Sequence, residues 1–201
     1  MTAYVTHYFR ADRAPFLNLP EVAPDRLDGV LADLAGTATD PARSRRRFGP
    51  RYLPLRRATE ARARGLFVAA GGQPERDHPH YFVLGESAWF AGLYDDVREV
   101  RLPVAALPPT VTSFTCTDSI TALGLGGSLG VPPPPPGSCR ALHRWDERET
   151  VLGSGPTPEP PVAVPPGAYA GYPQRPVDCY VEVQLWADAP VAAYLGTAWS
   201  G

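Results

Sequence analysis

The chain has 201 residues, 44% of them hydrophobic and 20% charged, the proportions of a globular protein long enough to bury a substantial core without staples. Its net charge of -2 and isoelectric point near 6.1 exclude a global electrostatic pull on nucleic acid, which needs a basic face to neutralise phosphates. All 19 basic residues are arginine, and no stretch reaches the roughly 18 apolar residues needed to cross a bilayer.

The opening MTAYVTHYFRADRAPF lacks a charged region followed by an apolar run, so no secretion signal is expected. Residues Tyr4 to Phe9 read as a short strand, ended by a charged turn and Pro15. In LNLPEVAPDRLDGVLADLAG, Asp25 is an N-cap candidate, Leu27, Val30, Leu31 and Leu34 recur at helical spacing, and Gly36 closes the segment. A second helix is expected from about Pro54 to Ala70, with Arg56, Arg57, Glu60 and Arg64 on its polar side and Gly71 and Gly72 ending it. The basic run from Ala42 to Arg64 reads as a solvated helix surface before it reads as a phosphate-binding patch.

From His80 the periodicity changes. HYFVLGES, VREVRLPV and TVTSFTC are short apolar or β-branched runs separated by turns, which predicts a mixed or antiparallel sheet. Between Gly124 and Pro176 the chain carries five consecutive prolines, Pro132 to Pro136, and PTPEPPVAVPPG. Proline lacks a backbone donor and favours extended backbone, so most of this stretch is expected to be loop, with Cys139 to Leu152 its one packable piece. The organisation expected is a single α+β domain over residues 1–201 with a Gly/Pro-rich insertion at about 124–176.

Order returns at CYVEVQLW. Strand alternation puts Cys179, Val181, Val183 and Leu185 on one face, built for a core, and Tyr180, Glu182, Gln184 and Trp186 on the other. That second face reads as a cleft wall or as an ordinary solvated face.

Several chemistries lack their pattern. His78 and His80 form an HPH pair, but no cysteine or carboxylate stands at a familiar ligand spacing, so no metal site is expected. GES at Gly85 to Ser87 is not a nucleophile elbow, and GLGGSLG is followed by prolines where a dinucleotide fingerprint needs a helix. Cys116, Cys139 and Cys179 form no paired motif, so no disulfide framework is expected and the reading is cytoplasmic.

His7 on the first strand, an aromatic strand in the middle and Glu182 on the last remain. In that order the pieces resemble ADP-ribosyltransferases, and among them the DarT-type toxins that modify DNA bases. The resemblance is carried by THYFRADRAPFLNLPEV with His7 and Asn18-Leu19, by PHYFVLGESAWFAGL, by VTSFTCTDSITAL with Phe114, Thr117-Asp118 and Ala122, and by CYVEVQLW. Two residues after His7 the chain has Phe9 where that family has threonine, and the family's arginine has two candidate counterparts, Arg10 and Arg51.

What the resemblance implies is a split sheet with NAD, the substrate, bound in its cleft. Glu182 would be the catalytic carboxylate, His7 would hold the adenosine-side ribose, Arg10 or Arg51 the phosphates, and Tyr81 would stack on nicotinamide. The acceptor of ADP-ribose would be a nucleic-acid base, a protein side chain or water. The physical logic is that a fixed carboxylate stabilises the ribosyl cation where its charge develops. The alternative is a non-catalytic interaction domain whose proline-rich segment serves as an extended ligand for an aromatic groove.

Overall fold

The computed structural model describes residues 4–36, 52–91, 96–129, 142–153 and 180–195. Arg51 and the proline-rich stretches 130–141 and 154–179 lie outside the described residues.

The strands are β1 (Tyr4–Arg10), β2 (His80–Leu84), β3 (Val97–Pro103), β4 (Thr112–Thr115), β5 (His143–Arg144) and β6 (Glu182–Leu185). They form one six-stranded sheet in the order β3-β1-β2-β6-β4-β5, and every neighbouring pair is antiparallel. With helices α1 (Pro24–Gly36), α2 (Tyr52–Ala69), α3 (Ala88–Ala91), α4 (Ser119–Ala122) and α5 (Arg148–Gly153), the class is α+β, and the sheet contains no parallel pair. Among the described residues no helix is long and apolar enough to cross a membrane.

Both expected N-terminal helices form. α1 starts at Pro24, whose missing N–H costs nothing in a first turn, so Asp25 lies inside that turn and not at the cap. α2 ends as its glycines predict: Gly71 takes φ +88°, its N–H bonds the Val68 carbonyl at 2.9 Å, and the Gly72 N–H bonds that of Phe67 at 2.8 Å. The packable piece after the polyproline run contributes Leu142 and Trp145, both buried, with β5 and α5.

The sheet is covered on both faces. One face carries Val5, Phe82, Phe114, Val183 and Leu185 into the larger core with Val100, Leu102, Trp145 and Val191. The other lies under α2, where Ala63 and Phe67 pack with Trp186, Leu123 and Leu142. The solvated reading of the second β6 face is thereby overturned, because Glu182, Gln184 and Trp186 are all buried. The polar-side reading of α2 fails for the same reason: Arg57 is exposed, but Glu60 is fully buried and only 11% of the Arg56 side chain is exposed.

One correction concerns the cysteines: Cys116, just after β4, is disulfide-bonded, and its partner lies outside the described residues. An odd cysteine count rules out a fully paired framework but not a single bridge.

Packing at the end of α2 gives a paired prediction. A Cβ at Gly72 would sit 2.5 Å from the Phe67 ring, which is fully buried against Trp186, whereas one at Gly65 meets nothing within 4 Å. Gly72→Ala is expected to destabilise by about 1–3 kcal/mol through overpacking. Gly65→Ala, inside the same helix, is expected to stabilise by up to about 1 kcal/mol. Urea unfolding of the two variants checks the contrast.

Candidate functional site

The pairing of β1 with β2 is short. β1 pairs with β3 along its whole length, Tyr4↔Pro103 to Arg10↔Val97, but with β2 only at Val5↔Leu84 and Thr6↔Val83. Beyond Thr6 the ladder stops, and the Tyr81 carbonyl takes a side chain in place of a strand: His7 Nδ1 donates to it at 2.8 Å. A cleft of about 190 Å³ opens there, lined by His7, Arg10, Asn18, Arg56, Tyr81 and Glu182 among others. The expected His, Tyr and Glu, distant in sequence, thus border one cavity together with one of the two expected arginines.

His7 builds the wall. The Phe16 N–H donates to its Nε2 at 3.0 Å, so the ring proton sits on Nδ1 and both nitrogens are engaged by backbone. Burial lowers its pKa to about 4, partly offset by the bond to Tyr81, so the ring is neutral at physiological pH. It stacks on Phe16 at 4.2 Å, and Phe16 itself adopts φ 62°, a left-handed conformation that a bulky residue keeps only when its surroundings hold it.

Arg10 is held by carboxylates: its Nε donates to Asp12 at 2.9 Å and its Nη1 to Asp33 at 3.2 Å. A different arginine reaches the Glu182 side of the cleft. Arg56 projects from α2 with its guanidinium 3.6 Å from the centroid of the Tyr81 ring, and its Nε donates to Glu60 Oε1 at 2.7 Å. The Tyr81 hydroxyl donates to the same oxygen at 3.1 Å, and His78 Nδ1 meets Glu60 Oε2 at 2.5 Å. Burial works against the charge on Arg56, yet Tyr81, Tyr52, Glu60 and Glu182 around it hold the guanidinium more basic than usual. Burial likewise pushes the Tyr81 phenol well above its ordinary range, which keeps it a donor.

The register Thr6↔Val83 and Val83↔Glu182 places Glu182 on the sheet face that α2 covers. It is 6% exposed. Its Oε1 accepts from the Ser119 N–H at 3.2 Å and from Gln184 Nε2 at 3.1 Å. Gln184 is itself fixed: Trp186 Nε1 donates to Ser113 Oγ at 2.9 Å, and that hydroxyl donates to Gln184 Oε1 at 2.9 Å. The amide therefore has one orientation, with its N–H toward Glu182, and the chain Trp186–Ser113–Gln184–Glu182 is buried throughout. Burial raises the pKa of Glu182 and the Asp118 carboxylate adds to this, while Arg56 and the bonds from Ser119 and Gln184 pull it back. The result is a preorganised, buried carboxylate whose ionised form Arg56 favours, and a carboxylate fixed in place is what stabilising a transient positive charge requires.

Gln184→Met, which keeps the volume and removes the N–H, has a signed outcome. Losing a donor to the ionised form raises the Glu182 pKa further, so any activity that needs the carboxylate should fall about tenfold and the acidic limb of its pH profile should move to higher pH. Removing the acceptor for Ser113 should also cost about 1–3 kcal/mol of stability. An unmoved acidic limb would show that Gln184 does not tune Glu182.

Arg56 and Glu60 are the residues sequence reasoning misplaced, though their signal was present. Leu53, Arg56, Glu60, Ala63 and Phe67 follow one another at spacings of three and four, the single stripe that a helix buries. A charged pair inside an apolar stripe marks a paired buried site. His78 and His80 do not converge, since His78 meets Glu60 and His80 meets Asp188. Among the described residues no group of three His, Cys, Asp or Glu side chains is placed to hold a metal ion.

No family model matches the chain, and neither the curated proteins nor the solved structures compared with it give a match.

Proposed function

We propose that the cleft binds NAD and that Glu182 stabilises the ribosyl cation formed as nicotinamide departs. The observation that carries this is the buried, doubly hydrogen-bonded Glu182 in a cleft that also contains Arg56 and Tyr81. In the reaction the C1′–N bond breaks and its electron pair leaves with neutral nicotinamide. An acceptor oxygen or nitrogen then bonds to C1′ and gives up its proton. Glu182, on a strand fixed by its neighbours, faces the developing charge without reorganising. Its raised pKa confines activity to pH values at which it is ionised.

Arg56 takes the role first expected of Arg10 or Arg51, because its charge is maintained and a planar guanidinium suits a phosphate or carboxylate group. Arg10 shapes the rim through Asp12 and Asp33. His7, with both nitrogens engaged, holds the Phe16 turn that forms one wall. The acceptor, by the family resemblance, is a nucleic-acid base, with a protein side chain or water as the other classes. Exposed Arg57 and Arg62 on α2 are where a polyanionic acceptor would make contact.

The test is nicotinamide release from NAD, followed chromatographically with and without single-stranded DNA. Release that requires Glu182 supports the reading, and its absence under all conditions overturns it.

A further inference from the structure

A second built feature borders the cleft, and the proposed transfer chemistry does not use it. His80 opens β2 and, by strand alternation, faces the side of Phe82 and away from Tyr81 and the face bearing Glu182. Its side chain is 1% exposed. Its Nε2 lies 2.8 Å from Asp188 Oδ1, and Asp188 is gripped by Arg76, which also holds Glu21 at 2.5 Å. A carboxylate at Nε2 puts the ring proton there, as second-sphere carboxylates do for other histidines. Nδ1 is left as a lone-pair acceptor, and it has no hydrogen-bond partner among the described residues. Burial lowers the His80 pKa against the opposing pull of Asp188, so the ring is neutral and the lone pair is retained.

A buried acceptor without a donor costs about 1–3 kcal/mol, and native structures seldom tolerate one. Here Glu21, Arg76 and Asp188 together orient the ring, and His80 borders the same cavity as Glu182. Beside it the wall is aromatic: Phe16 meets His80 edge-on at 5.0 Å and packs against Phe82 at 5.4 Å. Asn18, which also lines the cavity, is tied to the Pro79 carbonyl at 3.3 Å.

We propose that His80 Nδ1 accepts a hydrogen bond from an N–H group on a planar heterocycle seated against the Phe16 wall. The cleft then reads its ligand at two places, by charge at Arg56 and Glu182 and by an amide or amino group at His80. The identity of the heterocycle rests on the NAD reading: the carboxamide of nicotinamide and the amino group of adenine both present the required donor.

The test is nitrogen NMR on protein labelled at histidine, with the His80 resonances assigned by their loss in His80→Phe. Nicotinamide, adenosine and NAD are titrated separately, beside pyridine and purine riboside, which keep the rings and lack the N–H group. The expected result is that Nδ1 moves with nicotinamide or with adenosine, and with NAD, but not with the matching bare ring. Which of the two compounds acts identifies the source.

Because His80→Phe leaves Asp188 without its ring partner, Asp188→Asn is measured as well. Asparagine supports either tautomer, so affinity for the responding compound should fall several-fold while the fold is kept. An Nδ1 that stays still with every compound, or that moves equally with the bare rings, overturns the proposal. Nicotinamide release with a silent Nδ1 sinks this inference alone, and a responsive Nδ1 without release sinks the transfer reading alone.

Discussion

Glu182→Gln is expected to cut nicotinamide release by about 10²- to 10³-fold, the scale of removing one preorganised electrostatic group, while leaving NAD affinity within a few-fold. The same variant should be more stable than the parent at neutral pH. Burial raises the folded-state pKa of Glu182 above its unfolded value, so the protein binds a proton that the unfolded chain has already lost. Stability from this group is complete below the unfolded pKa and declines as pH rises through the folded pKa, where a charge must be kept buried. Glutamine keeps the shape and carries no charge. The thermal midpoint of the variant should therefore exceed that of the parent at pH 7, and the gap should close in acid. A variant that loses stability at neutral pH would mean that the carboxylate is satisfied better than its surroundings indicate, and the account of a carboxylate held ready for a cation would fail.

The second large effect lies on α2. Glu60 is fully buried and depends on Arg56, the Tyr81 hydroxyl and His78. Arg56→Met leaves that carboxylate without its principal counter-charge, which should cost about 3–5 kcal/mol in urea unfolding. Combining it with Glu60→Gln removes the orphaned charge, and most of the lost stability should return because a buried ion pair is seldom worth more than a neutral replacement. NAD affinity should not return, since the cation is missing from both variants, and a drop of at least tenfold is expected in each. Full recovery of affinity in the double variant would remove Arg56 from the binding role.

How much of this was legible in the residues can be argued element by element. The strands read well where alternation met a strong core face, as in CYVEVQLW, because period two is a local property. The glycine-ended α2 read well because its terminating pattern is local too. The even antiparallel pairing was only half legible, since alternation tells which residues share a face and not which strand lies beside which.

The cleft was legible as an ordered set of His7, Tyr81 and Glu182, but its position depends on where the β1–β2 ladder stops, a tertiary fact set by the His7 imidazole reaching the Tyr81 carbonyl. Arg56 and Glu60 looked like an ordinary exposed pair four residues apart, and only their place in the stripe of Leu53, Ala63 and Phe67 argued otherwise. The orientation of His80, whose Nδ1 has no partner among the described residues, had no signature at all, because it results from Asp188, 108 residues away.

The most direct measurement is calorimetric titration of NAD into the parent protein and the Arg56→Met/Glu60→Gln variant. The account predicts saturable binding to the parent below millimolar NAD and at least tenfold weaker binding to the variant. No heat of binding to the parent at millimolar NAD would contradict it.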